Sequence, residues 1–567
     1  MTQSGSAASQ APTLHSVTRR ETHEVWNQAP DLADYNPFDA DRVLGEALDR
    51  EGGAWGREDV RALGAAVGSA QVQDWAREAN LHIPTLRTHD RVGRRVDTVD
   101  FHPSYHALMT LAFESGVHAY AWNAKGRPGA HVVRAALSFL WNQADNGVGC
   151  PTGMAYSAIP VLEKTPALGA VWNPAINAQA YDTRRLPVHQ KRAATIGMTL
   201  TEKQGGSDLR ANATKAEPAG RRGQGGEYIL TGHKWFCSAP MSDGFYVLAQ
   251  ASGGPTCFLA PRILPDGSSN VFMIQRLKEK CGNRSNASSE VEFDGTLAWA
   301  LCDEGRGVRT ALEMAHLTRL DFAVGSAGLM RHALAQAINH TRHRLAFQRP
   351  LIDQPLMTAV LADLALECEA STLLALRLAR ACDEALRGDG EAHLFERLAT
   401  PVAKYWICKR AVGVVHEALE CHGGNGFVEE HVMARLYREA PLNGIWEGSG
   451  NLIALDVLRA LQKEPGCLEA VMRELNAAVG VDPRYDAFVR ATEVDARAAA
   501  RGDEAAARRV AERLALALQG SLMLRFSSSA ASHAFCAARL GDERFGAYGA
   551  LPSGLATRAI VERAWAA

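Results

Sequence analysis

One block of β-type sequence between two long helical regions is the feature that most constrains how this chain can fold. Short runs rich in β-branched and aromatic residues, separated by Gly, Asp and Ser turns, lie at 228–231, 234–238, 245–249, 256–260 and 290–293. Such runs are typical of a small antiparallel β domain. A single central block argues against a doubly wound α/β fold, and no G-x-G-x-x-G sequence follows a predicted strand. The order predicts an α+β fold that is mainly α.

Helical patterns flank the β block on both sides. Apolar residues recur at helical spacing in 106–112 and 361–369, and Pro151, Pro160 and Pro166 are expected to interrupt the first region. A chain of 567 residues is too long for one hydrophobic core. The predicted division is a flexible lead at 1–20, an N-terminal helical domain at 21–190, a β-barrel domain at 191–305, a helical bundle at 306–461 and a C-terminal helical extension at 462–567.

Composition excludes several classes of protein. The formal net charge is −2, so the chain as a whole has no cationic excess for nucleic acid, although a local basic face is compatible with that total. The eleven Cys residues include no C-x-x-C pair, which predicts buried thiols in a reduced, cytoplasmic protein without a metal site. No apolar run is long enough to span a bilayer, and the N-terminus lacks the apolar core of a secretion signal. We expect no membrane partner.

Two segments at the start of the β block could contact a cofactor. In 198–208, two adjacent Gly residues permit close backbone approach to a ligand, and the hydroxyls of Thr201 and Ser207 could bind pyrophosphate or flavin heteroatoms. In 232–238, an aromatic residue is followed by a hydroxyl, which suits a flat ring with a polar edge. Taken alone, the first segment is more often an ordinary turn and the second a strand with a buried aromatic residue.

Later segments add a carboxylate and an anion-binding pattern. In 443–451, Glu447 lies between an aromatic residue and a Gly-rich stretch, where partial desolvation would raise its pKa and make it a usable base. In 344–351 an Arg offers a forked donor for phosphate, and in 422–427 three Gly residues form an open backbone cradle. Each taken alone is more often a loop Glu or a helix end.

Together, in this order, the segments resemble the acyl-CoA dehydrogenase superfamily over about 41–461. The family patterns are T-E-x-x-(A/G)-G-S-D, G-x-K-x-W-I-T, R-x-x-F-G-x-P-L, G-G-x-G and Y-E-G-T; they correspond here to 201–208, 232–238, 344–351, 423–426 and 446–449. One match of this kind is weak evidence, whereas five in register are strong evidence. The resemblance implies an N-terminal helical domain, a central antiparallel β domain and a C-terminal helical bundle.

Three strings and the C-terminal extension are similar to the AidB-type branch of that superfamily. The strings are 201–208, 282–288 and 445–451, and the extension follows about Leu461. AidB-type proteins are FAD-binding homotetramers linked to protection against DNA alkylation, and they can retain weak acyl-CoA dehydrogenase activity. The resemblance therefore implies FAD as the cofactor, a homotetramer, and double-stranded DNA and acyl-CoA as candidate partners.

The resemblance also implies a role for each matched position. Glu447 would remove the substrate α-proton while a hydride passes from the β-carbon to the flavin. Thr201 and Ser238 would bind the isoalloxazine edge, Ser207 the pyrophosphate, and Arg344 with 423–426 the FAD of a neighbouring subunit. The implied cofactor-binding residues are Met198, Thr201, Gly205, Gly206, Ser207, Phe236, Cys237, Ser238, Arg344, Ile445, Trp446, Gly448, Ser449, Gly450 and Asn451.

Three positions depart from the family pattern. Phe236 occupies a position that is usually Trp, and Trp446 one that is usually Tyr; both alter the walls around the flavin and could narrow the acyl pocket. Gln348 replaces a Gly in the Arg motif and weakens the expected contact between subunits. The departures therefore count against efficient turnover of ordinary acyl-CoA. The alternative function is an ordinary dehydrogenase for a short branched acyl-CoA, with the extension serving only in oligomer assembly.

The extension is the expected site of any DNA binding. From Cys467 onward it contains thirteen Arg against twelve Asp and Glu, a net charge of about +1. Some Arg residues recur at helical spacing, which would gather them on one face: Arg497, Arg501, Arg508, Arg509 and Arg513. Asp503, Glu504 and Glu512 lie among them, as on an ordinary salt-bridged helix. Both a DNA-binding face and a purely structural tail fit this pattern.

Overall fold

The computed structural model describes residues 22–464 and 466–565. The predicted flexible lead at 1–20 lies outside these described residues. No helix of the described residues is long and apolar enough to cross a membrane.

The first region is a set of packed helices. Their N-termini carry the expected signals, because Ser69 and Asp145 each accept a backbone N–H as N-caps and Pro166 opens its own helix. The helices are α1 (Arg42–Arg50), α2 (Arg57–Val67), α3 (Ala70–Leu81), α4 (Pro103–Glu114), α5 (Tyr120–Asn123), α6 (Ala130–Trp141), α7 (Asn146–Glu163) and α8 (Pro166–Ile176).

One hairpin interrupts the helical pattern of this region. Strands β1 (Thr85–His89) and β2 (Arg95–Asp100) pair antiparallel. The Asp90 side chain accepts two backbone N–H groups of the connecting turn, and Gly93 has φ 83. Local turn chemistry therefore produces two short strands where the surrounding sequence predicts helix.

Pro151 and Pro160 do not end helices, contrary to the sequence expectation, because both lie inside α7. A proline leaves the carbonyl four residues earlier without its helical donor. For Pro160 that carbonyl belongs to Tyr156, and it accepts the indole N–H of Trp122 at 2.9 Å. A tertiary contact thus replaces the missing helical hydrogen bond.

The central block forms a closed, mostly antiparallel sheet. Its order is β3-β6-β4-β5-β9-β7, an additional β6–β7 pairing closes the ring, and β8 pairs with β9. The parallel exceptions are the pairings of β6 with β3 and β4. The strands are β3 (Ile196–Thr199), β4 (Lys215–Pro218), β5 (Glu227–Ser238), β6 (Gly244–Ala251), β7 (Gly254–Pro261), β8 (Met273–Leu277) and β9 (Ser288–Ala300).

The five predicted runs all lie in strands, but the first two form the single strand β5. Gly232, expected to end a strand, lies inside it with φ 151. A Cβ there would lie 2.6 Å from the Cα of Thr214, so the glycine allows a close approach of two backbones. The barrel has its own core, which includes Tyr228, Phe245 and Phe258.

Long helices follow the barrel and form a bundle. A single hydrophobic core joins this bundle to the N-terminal helices and to the C-terminal extension. The bundle helices are α9 (Gly307–His343), α10 (Pro355–Leu386), α11 (Gly390–Glu420), α12 (Gly424–Phe427), α13 (Val432–Glu439) and α14 (Gly450–Lys463).

The C-terminal extension docks on the bundle through buried polar contacts. The Trp406 indole donates to Gln519 Oε1 at 3.0 Å, Arg539 pairs with Asp363, and Arg563 pairs with Glu369 at 3.0 Å. Its helices are α15 (Gly466–Asn476), α16 (Pro483–Ala499), α17 (Ala507–Phe526), α18 (Ser529–Phe535), continued by a π-helical turn at Cys536–Leu540, and α19 (Thr557–Arg563).

Candidate functional site

A buried ion pair fastens the 201–208 loop to strand β5. The Lys234 ammonium lies 2.7 Å from Glu202 Oε1, and both side chains are fully buried. Glu202 also accepts the Thr214 hydroxyl at 2.6 Å, and the carbonyl of Thr201 accepts the N–H of Trp235 at 2.8 Å. Two motifs separated in sequence are thereby held side by side, with the charges satisfied by hydrogen bonds.

The site motifs meet around the indole of Trp446. Trp446 and Met198 pack against the buried group of Cys150, Met154 and Ala239. Ala239 directly follows Ser238, so the first and second motifs and the 445–451 segment share one apolar wall. Trp446 also stacks on Phe322, with ring centroids 4.9 Å apart and an interplanar angle of 11°. Phe322 contributes to this wall from α9, which the sequence did not indicate.

Glu447 lies on a tight turn between a 3₁₀ turn, Leu442–Gly444, and α14. Its φ is 54 and that of Gly448 is 114, so two successive residues are left-handed. A non-glycine residue in this region costs about 1–3 kcal/mol. Two buried cations stabilise the turn: Arg319 donates to the Glu447 carbonyl at 3.0 Å and Lys404 to the Gly448 carbonyl at 2.5 Å.

The electrostatics of this turn suit a base. Burial raises the pKa of the Glu447 carboxyl above its ordinary value, and the charges of Arg319 and Lys404 lower it in part. A carboxylate with a raised pKa accepts a proton more readily than a solvated one. Arg319 is itself fixed by Asp456 at 2.8 Å. Neither cation was among the residues predicted from sequence, since both come from distant helices.

The residues around the first motif fit a flavin dinucleotide. No hydrogen bond within the described part of the chain engages the hydroxyls of Thr201 and Ser207, which leaves both free for a ligand. Gly205 has φ 144 with open space around it, and a Cβ on Gly206 would lie 2.4 Å from Thr201 Oγ1. Phe236, which follows Trp235 on strand β5, is 49% exposed and offers an accessible aromatic face. A glycine cradle, free hydroxyls and an accessible aromatic face match the parts of FAD.

The predicted cofactor-binding residues differ in their accessibility to solvent. Met198, Ser238, Trp446, Gly448 and Gly450 are partly accessible, whereas Ile445, Ser449 and Asn451 are exposed. Cys237 instead points its side chain into the barrel core, so only its backbone could contact a ligand. Its carbonyl accepts the Ser289 hydroxyl at 3.2 Å.

Arg344 and the glycines of 423–426 converge on a different cavity. A cavity of about 380 Å³ is lined by His340, Arg344, His422, Gly423, Gly424 and Asn425, among others. None of its lining residues belongs to the wall around Trp446. The resemblance assigns these positions to a neighbouring subunit's FAD, and their separation from Glu447 is compatible with that role.

The hairpin after Arg344 contains Gln348, one of the three departures from the family pattern. Phe347 and Gln348 form its two-residue turn with φ values of 50 and 62. Turns with two left-handed residues favour Gly, which is the family residue at position 348. Gln348 thus replaces a residue that adopts left-handed φ values without steric strain. Its neighbour Phe347 is 92% exposed.

The extension reaches the 443–451 segment through one arginine. Arg508, on α17, donates to Asn451 Oδ1 at 2.8 Å. A Cβ on Gly450 would lie 2.9 Å from Lys409 Nζ and 3.2 Å from Arg508 Nη2, so both cations lie at the N-terminus of α14. Arg508 is one of the arginines expected on a DNA-binding face, and its contact with Asn451 has no signal in the sequence.

Comparisons with known proteins agree with this arrangement. Residues 27–183 match the family model for the adaptive response protein AidB N-terminal domain; residues 197–296 and 305–462 match those for the acyl-CoA dehydrogenase middle and C-terminal domains. The chain is 44% identical to AidB of Escherichia coli K12 over 527 residues, covering 93% of this chain and 96% of that protein.

Solved structures extend the comparison. Caenorhabditis elegans ACDH-11, crystallised with C11-CoA, aligns with a TM-score of 0.83 at 25% identity, covering 97% of this chain and 98% of that one. A Bacillus anthracis acyl-CoA dehydrogenase complexed with FAD aligns with a TM-score of 0.64 at 17% identity, covering 76% of this chain and 80% of that one, and shares the fold. FAD is the cofactor of this family. The chain belongs to the acyl-CoA dehydrogenase family of FAD-dependent oxidoreductases, in its AidB-type branch.

Proposed function

We propose that this protein oxidises a small acyl thioester between its α- and β-carbons, with Glu447 as the catalytic base. The observation that carries the proposal is the Glu447 turn, which two buried cations hold beside the Trp446 wall. A base must be fixed near the atom that it deprotonates and must have a suitable pKa. The raised pKa of Glu447 meets the second requirement.

In this reaction Glu447 takes the α-proton on a carboxylate oxygen, and the C–H electron pair becomes part of the new C=C bond. FAD, when bound, supplies the acceptor for the hydride that leaves the β-carbon. We assign the hydroxyls of Thr201, Ser207 and Ser238 to hydrogen bonds with the cofactor. The backbone of Gly205 and Gly206 would approach the cofactor closely. The stacked Trp446 and Phe322 form an apolar wall next to Glu447 in the chain, which would limit the water around the reacting atoms.

The test is the pair Glu447→Gln and wild type, both purified with FAD. The amide preserves the shape and cannot accept the proton, so we expect anaerobic flavin reduction by a panel of acyl-CoA thioesters to fall by about 10²–10⁴-fold. Bound FAD should be unchanged. Glu430→Gln is the control because Glu430 is exposed and distant in sequence from the turn. Reduction of the Glu447→Gln flavin at the wild-type rate would exclude Glu447 as the base.

We also propose a homotetramer in which a neighbour covers the cavity next to Arg344. Exposed apolar side chains on the segments that line this cavity support the proposal: Leu345, Phe347, Leu356, Phe427 and Val428. In sedimentation experiments we expect a tetramer. Phe347→Ser and Phe427→Ser should each weaken the tetramer and reduce the retention of FAD. Phe545→Ser, at an exposed site of the extension, should leave both unchanged. A monomer that retains full FAD would refute the assembly.

As a second function we propose that the extension binds double-stranded DNA and so contributes to protection against alkylation. Of the arginines predicted to form a DNA face, Arg497 pairs with Glu469, and Arg509 and Arg513 both lie near Asp495. The supporting observation is a pair of cations where the extension meets the bundle, Arg508 on α17 and Lys409 on α11, which has no carboxylate within 4 Å among the described residues.

Duplex DNA binding is tested by fluorescence anisotropy with the intact protein at two salt concentrations. Binding should be independent of sequence and should weaken steeply with salt, since phosphate neutralisation dominates it. Lys409→Ala with Arg508→Ala should reduce affinity, whereas Arg497→Ala should not, because its charge is already paired. Absence of binding at low salt would leave the extension as an assembly element.

We further infer a cytoplasmic location. All eleven cysteines are free thiols and ten of them are buried, which suits a reducing compartment. Cell fractionation tests this inference, and recovery of the protein with the periplasm would contradict it.

A further inference from the structure

The 282–288 loop, which the proposed reaction does not use, is wedged between the barrel and the bundle. The N–H of Ala239 donates to the Ala287 carbonyl at 2.9 Å, which attaches the loop to the chain just after Ser238. At the other end, a Cβ on Gly282 would lie 2.3 Å from the Arg438 carbonyl, so only glycine permits this approach to α13. The loop is therefore held in place from both sides, next to the Trp446 wall.

Asn286 is the residue of this loop whose side chain is least satisfied. It is 1% exposed, and neither its amide nitrogen nor its amide oxygen has a hydrogen-bond partner among residues 22–464 and 466–565. Buried carboxamides are nearly always hydrogen-bonded, so a group with both ends free has unused capacity to bind a ligand. Asn286 lies next to the Cys150 thiol, and Cys150 itself packs with Trp446. Cys150 is also close enough to Glu447 for their charges to interact, which places the free amide in the neighbourhood of the proposed base.

Lys280 adds a cation to the same place. Its ammonium donates to the Asn286 carbonyl at 2.7 Å and to Ser288 Oγ at 3.2 Å, which leaves one N–H for another acceptor. No carboxylate of the described chain lies within 4 Å of it. Ser288 Oγ lies 3.5 Å from Ser238 Oγ, so this polar group continues to the proposed cofactor hydroxyl. We name Cys150, Lys280, Asn286 and Ser288 the polar subsite.

The buried carboxylates nearest to Lys280 already accept hydrogen bonds from other donors. Asp145 accepts the Ser285 hydroxyl at 2.9 Å and the Asn80 amide at 2.8 Å, and it caps α7. Glu439 accepts the N–H of Asn283 at 2.7 Å. Neither carboxylate lies within 4 Å of the Lys280 ammonium, so among the described residues this positive charge has no direct counterion. An ammonium with one free N–H and the NH₂ group of an unpartnered carboxamide are complementary to an oxygen anion.

We infer that the polar subsite binds a carboxylate on the small-molecule substrate, so that the preferred substrate is an acyl compound with a second, anionic end. This inference rests on the proposed function, because the subsite lies beside Glu447. A hydrocarbon tail in the same position would leave the Asn286 amide and the third N–H of Lys280 without partners. The apolar side chains of Met154 and Trp446 would pack along the methylenes between the two ends.

The experiment compares glutaryl-CoA with pentanoyl-CoA, whose chains have equal length and differ in the terminal carboxylate. Binding is followed by the change in flavin absorbance of the FAD-loaded Glu447→Gln protein, in which turnover does not interfere. We expect glutaryl-CoA to bind about tenfold more tightly. Lys280→Met should remove that preference and leave the affinity for pentanoyl-CoA and the bound FAD unchanged. Asn286→Asp should selectively weaken the binding of glutaryl-CoA, since the substitution adds a negative charge without a change of shape.

Lys278→Met is the matched control. Lys278 lies two residues from Lys280 and is paired with Glu290 at 2.6 Å, so its loss should leave the ratio of the two affinities unchanged. Equal binding of the two thioesters, or a ratio that Lys280→Met does not alter, would overturn the inference.

Free glutarate and pentanoate separate this inference from the proposed function. If neither thioester binds but glutarate perturbs the flavin spectrum in a manner that requires Lys280, the acyl-thioester function fails and the carboxylate subsite stands. If glutarate also has no effect, the subsite is refuted. Loss of FAD from both Lys280→Met and Asn286→Asp would instead assign these groups to the cofactor and equally refute a substrate role.

Discussion

Replacing Glu439 by Gln is expected to stabilise the protein in alkaline but not in acidic solution. Glu439 ends α13, is 6% exposed, and has one carboxylate oxygen without a hydrogen-bond partner in the described structure. Burial raises its pKa from 4.5 to about 7; the Asn283 N–H, Arg435 and Lys280 oppose this shift, and Asp145 adds to it. The glutamine would keep the Asn283 contact and remove the buried charge.

The sign and size of the effect follow from proton linkage. Because the folded pKa exceeds the unfolded value, the contribution of this carboxyl is fully present below pH 4.5 and is lost as the pH rises through about 7. The difference between 4.5 and about 7 corresponds to about 3 kcal/mol at high pH, of which about 2–3 kcal/mol develops between pH 5 and pH 8.5. An uncharged glutamine has no such dependence.

The assay is thermal unfolding of the FAD-loaded proteins at pH 5 and pH 8.5. With an unfolding entropy of about 2 cal/mol/K per residue, the Tm advantage of Glu439→Gln should grow by about 2 °C between the two pH values, and by more if a single domain melts first. Glu430→Gln, at an exposed position, should show no pH-dependent difference. An advantage that is equal at both pH values, or a variant less stable than wild type at pH 8.5, would refute the reasoning.

Other predictions concern the base and the buried ion pair. Flavin reduction by substrate should slow as the pH falls through a pKa above 4.5, because Glu447 must be ionised to accept a proton; a rate constant independent of pH would exclude this. Lys404→Met should shift this fall in rate to higher pH, since the Lys404 charge lowers the Glu447 pKa, and an unchanged pH dependence would contradict the assignment. Glu202→Gln should cost about 3–5 kcal/mol and release FAD, because it leaves Lys234 buried without its counterion. Urea unfolding and FAD retention measure this, and the double variant with Lys234→Met should recover part of the stability.

The order of the domains was predictable from the sequence because it depends on local periodicity. Strand runs and helical runs differ in period over stretches of five to ten residues, so the β block at 228–293 and the helices around it were recognisable. Trp446 and Met198 do pack in one group with Ala239, the residue that follows Ser238. Two expectations failed for different reasons: the hairpin at 85–100 depends on local turn chemistry at Asp90, whereas Pro160 is accommodated because a distant residue, Trp122, donates to the carbonyl that it leaves free.

By itself, then, the sequence determined which residues could carry chemistry, since side-chain type and short-range spacing are properties of the chain. Tertiary structure alone decided which of them meet. Arg319 and Lys404 hold the Glu447 turn, Arg508 reaches Asn451, and Lys280 meets Asn286 beside Cys150. These contacts join residues up to about 140 positions apart, and no periodic pattern encodes them. They arise because burying apolar surface forces distant segments together, and each buried polar group must then find a partner among whatever neighbours packing provides.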